Sequence, residues 1–308
     1  MTVSATIAKK LADDEGVVPP KKPAVKGARL AWTRGFIDAV RNPLGAVGAA
    51  VLVLVVLSAV LGPVLWPVSY SAQDYTRLMP PSPLNPLGTD ELGRDVLSRL
   101  IHGAQVSLQV GAVSVSIALV VGLVVGVLAA FYGGMLDLIL MRVTDIFFAI
   151  PGLVLAILIS GLLGPTRTNV MMAIGIVYAP TFARVIRGAA LSIINLPYVD
   201  AARTLGVSDG RIMLRHVFRN IQGTLIVLCT IYISGAILTE AALSFLGLGT
   251  QPPEPSWGSM LKDSMTYMRL SPGLAIFPGV AIMLTILGLN FLGDSLRDTL
   301  DPKMRDAH

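Results

Sequence analysis

The sequence predicts an all-α, polytopic membrane protein with six transmembrane helices and both termini cytoplasmic. Three observations carry that prediction. Apolar residues make up 54% of the chain and charged residues only 14%, with a mean hydropathy of +0.71, which leaves too little polar surface to coat a globular fold of 308 residues. Six intervals contain no Asp, Glu, Lys or Arg: 42–73, 100–136, 146–166, 168–183, 220–239 and 270–293. Each is a candidate crossing, since a helix needs roughly 20 apolar residues to span a bilayer. Most of the 24 Lys and Arg residues then fall on one side, as the positive-inside rule requires of the cytoplasmic face.

Residues 1–25 carry Lys9, Lys10, the acidic Asp13-Asp14-Glu15 and a Pro/Lys cluster from Pro19 to Pro23, with nothing to bury, and are expected to be a disordered cytoplasmic tail. No cleaved signal peptide is expected, because the first apolar segment begins only near Leu44 and is too long for such a signal. Residues 26–43 read as an interfacial amphipathic helix: Leu30, Phe36, Ile37 and Val40 share one side, while Arg34, Asp38 and Arg41 show on the other. From residue 44 to 308 extends the six-helix domain.

The first crossing leads to an extracellular segment, 67–104. There Gly88-Thr-Asp-Glu-Leu-Gly93-Arg94-Asp95 has the glycine spacing of a phosphate loop without its Lys and Ser/Thr, so a turn followed by a short extracellular helix bearing Leu92, Val96 and Leu100 fits better. Asp90, Glu91 and Asp95 are the only metal-capture candidates. In the second crossing Ser107, Gly111 and Ser114 share a face and Gly122 with Gly126 form a GxxxG step, both suited to close helix packing. The fourth interval is the shortest, about 16 residues rising about 24 Å, with Arg184 and Arg187 able to snorkel and extend it. Counting it as a crossing keeps Arg184, Arg187, Arg203, Arg211, Arg215 and Arg219 inside. Glu240, well inside the fifth crossing, is either a pathway group or a polar tie between helices. The single cysteine, Cys229, lies in an apolar run and excludes an intrachain disulfide.

Between the fourth and fifth crossings, the cytoplasmic loop 191–220 contains the hydrophilic stretch from Pro197 to Asn220. Pro197 suits a first helical turn, Tyr198 to Leu205 continue it, and Gly206 supplies a left-handed stop. Ser208 is placed to cap a second helix from Asp209 towards Phe218. Small Ala201 and Ala202, flanked by Asp200 and Arg203, leave a slim surface able to enter a groove on a partner. A DNA-reading helix pair is excluded because both ends enter the bilayer within a few residues, and no nucleic-acid partner is expected. With histidine only at 102, 216 and 308, no HExxH and no paired His/Cys spacing, neither a metal site nor a membrane hydrolase finds support. A proton-coupled secondary carrier would need more titratable groups at mid-membrane than Glu240.

These residues resemble a known family. Asp200-Ala-Ala-Arg-Thr-Leu-Gly206, followed after nine residues by His216-Val-Phe-Arg-Asn220, is similar to the EAA loop of permease subunits of ABC importers, in the form used by dipeptide and oligopeptide systems. Three further stretches agree: Leu87-Gly-Thr-Asp-Glu-Leu-Gly-Arg-Asp-Val-Leu-Ser-Arg99, Asp145-Ile-Phe-Phe-Ala-Ile-Pro151, and Leu243-Ser-Phe-Leu-Gly-Leu-Gly249 leading to Gln251-Pro-Pro-Glu-Pro-Ser-Trp-Gly258. The likeness covers the chain from about Arg41 to Pro302 and is to the C-type permease; the family pattern usually has proline where Arg219 stands.

What the resemblance implies is a type I ABC importer permease-like fold in a bacterial inner membrane, surrounded by lipid. Its partners would be a homologous second permease, two cytoplasmic ATPase subunits and an extracytoplasmic substrate-binding protein. ATP and Mg would sit on the ATPase subunits, with no catalytic group and no cofactor on this chain. Asp200, Ala201, Ala202, Arg203, Gly206, Arg211 and Arg215 would form the ATPase-coupling surface. Peptide is the expected cargo, with nickel complexes, glutathione or another small solute as alternatives.

Overall fold

The computed structural model describes residues 36–300, which form helices joined by turns, with no strand among them. The expected tail lies outside the described residues, as does most of the expected interfacial helix; residues 36–41 are helical. Helix α1, Pro43–Leu65, starts where Asn42 accepts a hydrogen bond from the Leu44 N–H at 3.2 Å and Pro43 takes the first helical position. Its exposed Leu54, Val60 and Val64 suit a lipid-facing surface.

Helix α2, Val96–Tyr132, runs 37 residues, far longer than a bilayer requires. Its first turns are the helix expected as a separate extracellular element, because Asp95 caps it and nothing interrupts it afterwards. The Asp95 carboxylate accepts from the Ser98 N–H at 2.7 Å, Asn85 Nδ2 at 2.8 Å and Trp66 Nε1 at 3.1 Å, which pins the 66–95 loop over the helix end. Asp90 pairs with Arg94 at 2.6 Å and Arg99 at 3.3 Å, and Glu91 with Arg94 at 2.8 Å. These three carboxylates are therefore engaged by the protein's own donors.

Next come α3, Gly134–Phe148, and α4, Gly152–Leu163, bent by 88° at the break between them. Helix α5, Arg167–Ile194, is 28 residues long. The fourth crossing is thus not short. It passes straight through Arg184 and Arg187, whose charges are met by Asp145 and Asp137 of α3 rather than carried to the interface by snorkelling alone. The third crossing, expected as one helix over 146–166, is broken, since α4 alone rises only about 18 Å.

Helix α6 is Pro197–Thr204 and α7 is Asp209–Ile212; a π-helical stretch, Met213–Phe218, joins α7 to α8, Arg219–Phe245. Helix α9, Trp257–Ser264, opens with reciprocal Ser256 and Ser259 caps and buries Trp257, whose indole N–H donates to the Leu100 carbonyl at 3.1 Å. Helix α10 is Gly273–Leu300.

The contacts between helices give the direction of every pass. Gly175 of α5 faces Ser114 and Ile117 of α2, while Gly126 faces Ala183 and Arg187, so α2 and α5 run parallel. A side chain on Gly126 would lie 2.6 Å from the Ala183 carbonyl, so the two backbones meet where only hydrogen fits. Parallel neighbours require the intervening α3 and α4 to return the chain to the other side, and the bent pair is one crossing. Helix α8 is antiparallel to α2, through Ser107 with Glu240 and Gly111 with Ile233. Helix α10 is antiparallel to α8, through Asn290 with Ser234 and Gly293 with Thr230. Helix α1 is antiparallel to α10, through Gly45 with Ser295 and Gly48 with Leu292. Six passes result, and both ends of the described chain lie on the side of α6 and α7.

Candidate functional site

The corner formed by α6 and α7 exposes Asp200, Arg203, Asp209, Arg211 and Arg215. Leu196, extended at ψ 140°, hands the chain to Pro197, and Thr204 ends the helix. Past the end, the Val207 N–H donates to the Ala202 carbonyl at 3.1 Å and the Gly206 N–H to the Arg203 carbonyl at 2.9 Å, the paired bonds of a left-handed helix stop. Gly206 has φ +76°, and a Cβ added there would meet nothing within 4 Å. Backbone conformation, not crowding, demands glycine. Ser208 holds the N-cap position, but its hydroxyl makes no capping bond; its carbonyl accepts from the Arg211 and Ile212 N–H groups.

The second segment does not stop near Phe218. From Asp209 to Phe245 the chain is one continuous helical rod widened by the π turn, and Arg219 is helical at φ −62°, ψ −31°. At the position where the family pattern has proline, this chain keeps its backbone N–H and continues as helix into α8.

The corner is tied down from beneath. Val217 packs with Ala130, Ala190 and Ile194, and Val199 and Ile212 are fully buried. The Tyr198 hydroxyl accepts from Asn220 Nδ2 at 3.2 Å, its ring lies 5.8 Å from that of His216, and partial burial raises its pKa. Of the seven residues expected to face a partner, Asp200, Ala201, Gly206, Arg211 and Arg215 are exposed. Ala202 turns inward with 8% of its surface accessible, so the two alanines do not share one slim face. Arg203 is exposed yet directed to its own chain, over the Phe131 ring at 5.1 Å and 3.8 Å from Asp200.

Two residues escaped sequence reasoning. Leu205 is 82% exposed and Leu214 72% exposed, an apolar pair among the charges of the corner. A leucine at the end of a helix reads as core; its position just before a left-handed glycine is the one signal that it could project.

Glu240 lies between α2 and α8, 1% exposed, accepting from Ser107 Oγ at 3.1 Å and Ser244 Oγ at 2.7 Å. In this conformation it ties helices together and reaches no open surface. Among the described residues, no group of His, Cys, Asp and Glu is arranged to hold a metal ion.

Comparison with known proteins agrees with this architecture. Residues 122–306 match the family model described as binding-protein-dependent transport system inner membrane component, and residues 31–81 match the N-terminal transmembrane domain of oligopeptide transport permease C. The chain is 41% identical over 275 residues to the dipeptide transport system permease protein DppC of Alkalihalophilus pseudofirmus, covering 89% of this chain and 90% of that one. It is 43% identical to the di/tripeptide transport system permease protein DppC of Pseudomonas aeruginosa, over 85% of this chain and 89% of that one. To the glutathione transport system permease protein GsiD of Pectobacterium atrosepticum it is 39% identical, over 91% and 94%. In fold it is similar to a chain of the MetNI methionine ABC transporter in inward facing conformations, with a TM-score of 0.53 at 20% identity, covering 66% of this chain and 96% of that one.

Proposed function

The chain belongs to the family of binding-protein-dependent transport inner-membrane components, and from that premise we propose that it is the transmembrane permease subunit of an ATP-driven importer of dipeptides and oligopeptides. It is a multi-pass inner-membrane protein of an ABC transporter. In this reading it supplies half of the translocation pathway beside a homologous second permease. Two cytoplasmic ATPase subunits bind ATP and Mg and hydrolyse the nucleotide, a substrate-binding protein delivers the cargo on the opposite face, and this chain carries no catalytic group or cofactor.

The observation that carries the reading is the α6–α7 corner. Buried residues tie it to α2, α5 and α8, while it presents Ala201, Leu205, Leu214, Arg211 and Arg215 to whatever docks. Two exposed leucines on a segment that also exposes Arg211 and Arg215 suit docking into a groove of a soluble partner. Because α7 continues without a break into α8, and only two residues separate α5 from α6, closure of the ATPase dimer reaches both membrane helices as rigid-body motion.

The test is reconstitution of the chain with its second permease, ATPase subunits and binding protein in liposomes. ATP-dependent uptake of a labelled dipeptide is expected. Leu205→Asp with Leu214→Asp is expected to leave the amount of inserted chain unchanged and to abolish co-purification of the ATPase subunits; retained ATPase binding in that variant refutes the docking surface. Glutathione is the second cargo to test, because a glutathione permease shares 39% identity over almost the whole chain. Competition by glutathione but not by dipeptide would reverse the cargo assignment.

A further inference from the structure

Helix α3 is weakly buried within this chain. Of its 15 residues only Thr144 is buried, so apolar packing does little to hold it. It is entered through Gly133 and Gly134, at φ +62° and +53°, where an added Cβ would meet nothing within 4 Å, and it leaves through the 88° bend into α4. Both ends of α3 are thus marked by a sharp change of chain direction rather than by continuous helix.

What fastens α3 is charge. Arg187 of α5 grips Asp137 with two prongs of its guanidinium, Nε and Nη2 each donating to one carboxylate oxygen. One turn earlier, Arg184 donates to Asp145 at 2.6 Å and stands 4.2 Å from the centre of the Phe148 ring. Asp145 also lies 3.6 Å from Arg142 on its own helix. The forked pair is the strong form of a charged hydrogen bond. The two contacts are eight residues apart on α3 but only three apart on α5, so α3 crosses its partner obliquely and is held at two points along its length. Helix α5 in turn continues to Ile194, with two residues between it and the start of α6.

We propose that Arg187–Asp137 and Arg184–Asp145 form the linkage by which α5 carries α3, and through it the bent α3–α4 crossing, during transport. These four are positioning residues: they touch neither nucleotide nor cargo, and they transmit displacement from the α6–α7 corner to a crossing that makes little contact with that corner. The inference rests on the importer reading given above.

The test uses the assembled importer in liposomes, with Cys229→Ser removing the native thiol. Asp137→Cys with Arg187→Cys breaks the forked pair. Uptake per ATP hydrolysed is expected to fall about fivefold, while the chain still co-purifies with its ATPase subunits. Bridging the two thiols with a short bifunctional maleimide is expected to restore it, because a covalent tie replaces the ionic one. A milder variant, Arg187→Lys, keeps the charge but loses the fork and is expected to give a smaller loss. Unchanged uptake per ATP in the open cysteine pair or in Arg187→Lys, or a bridge that fails to restore it, overturns the proposal. Failure of the unsubstituted chain to bind ATPase subunits would instead overturn the importer reading, so the two failures are distinguishable.

Discussion

At Gly206 the left-handed backbone has open space around it, so the cost of a side chain there is conformational, about 1–2 kcal/mol. Gly206→Val is expected to insert normally but to lose ATPase stimulation and uptake, whereas Gly206→Asn, which tolerates this conformation better, is expected to keep a measurable part of both. Normal uptake by the valine variant would show that the corner need not be held at this angle. On the opposite face, burial and neighbouring Asp90 raise the pKa of Glu91, and burial raises that of Asp263 against the pull of Arg99. A carboxyl raised in the folded chain stabilises it fully below the unfolded pKa, and the contribution is lost as pH rises through the folded value. The thermal midpoint of the unsubstituted chain in detergent, taken relative to that of Glu91→Gln with Asp263→Asn at the same pH, is therefore expected to fall as pH is raised from below the ordinary carboxylate range to neutrality; a difference that does not change with pH would show that these two carboxyls are not shifted by folding. Gly206 was readable from sequence because its signal is local. The partners of Arg184 and Arg187 were not, since Asp145 and Asp137 lie 39 and 50 residues away along the chain.

Among the elements, α9 shows how an eight-residue helix is held. Trp257 is fully enclosed and its N–H is spent on the Leu100 carbonyl, so Trp257→Ala is expected to cost about 3–5 kcal/mol. Trp257→Phe, which mainly loses one hydrogen bond, should cost about 1 kcal/mol; differential scanning of the purified chain separates the two, and equal losses would mean that packing is not what Trp257 supplies. The crossings were legible as charge-free intervals wherever one helix makes the pass. At α3 and α4 the crossing is not legible as one interval, because Asp137, Arg142 and Asp145 interrupt the apolar pattern with charges that α5 neutralises in part. The continuity from Asp209 to Phe245 is not legible either, since it depends on a π turn that has no periodic sequence signature.

For the whole molecule, the parallel packing of α2 and α5 makes the bent pair a crossing and sets both ends of the described chain beside the α6–α7 corner. In a Cys229→Ser background, Ser208→Cys is expected to react with an impermeant thiol reagent only from the cytoplasmic side and Ser71→Cys only from the outer side. Labelling of both from one side would break the six-pass arrangement. The sequence by itself determined the solvent, the count of crossings and the place of the exposed corner, because hydropathy, charge spacing and a glycine stop act over a few neighbouring residues. Only the tertiary structure decided that two ion pairs join α3 to α5, that Ala202 faces in while Leu205 and Leu214 face out, and that Glu240 is closed between helices. Those outcomes depend on which distant segments share a face, and that is settled when the helices pack.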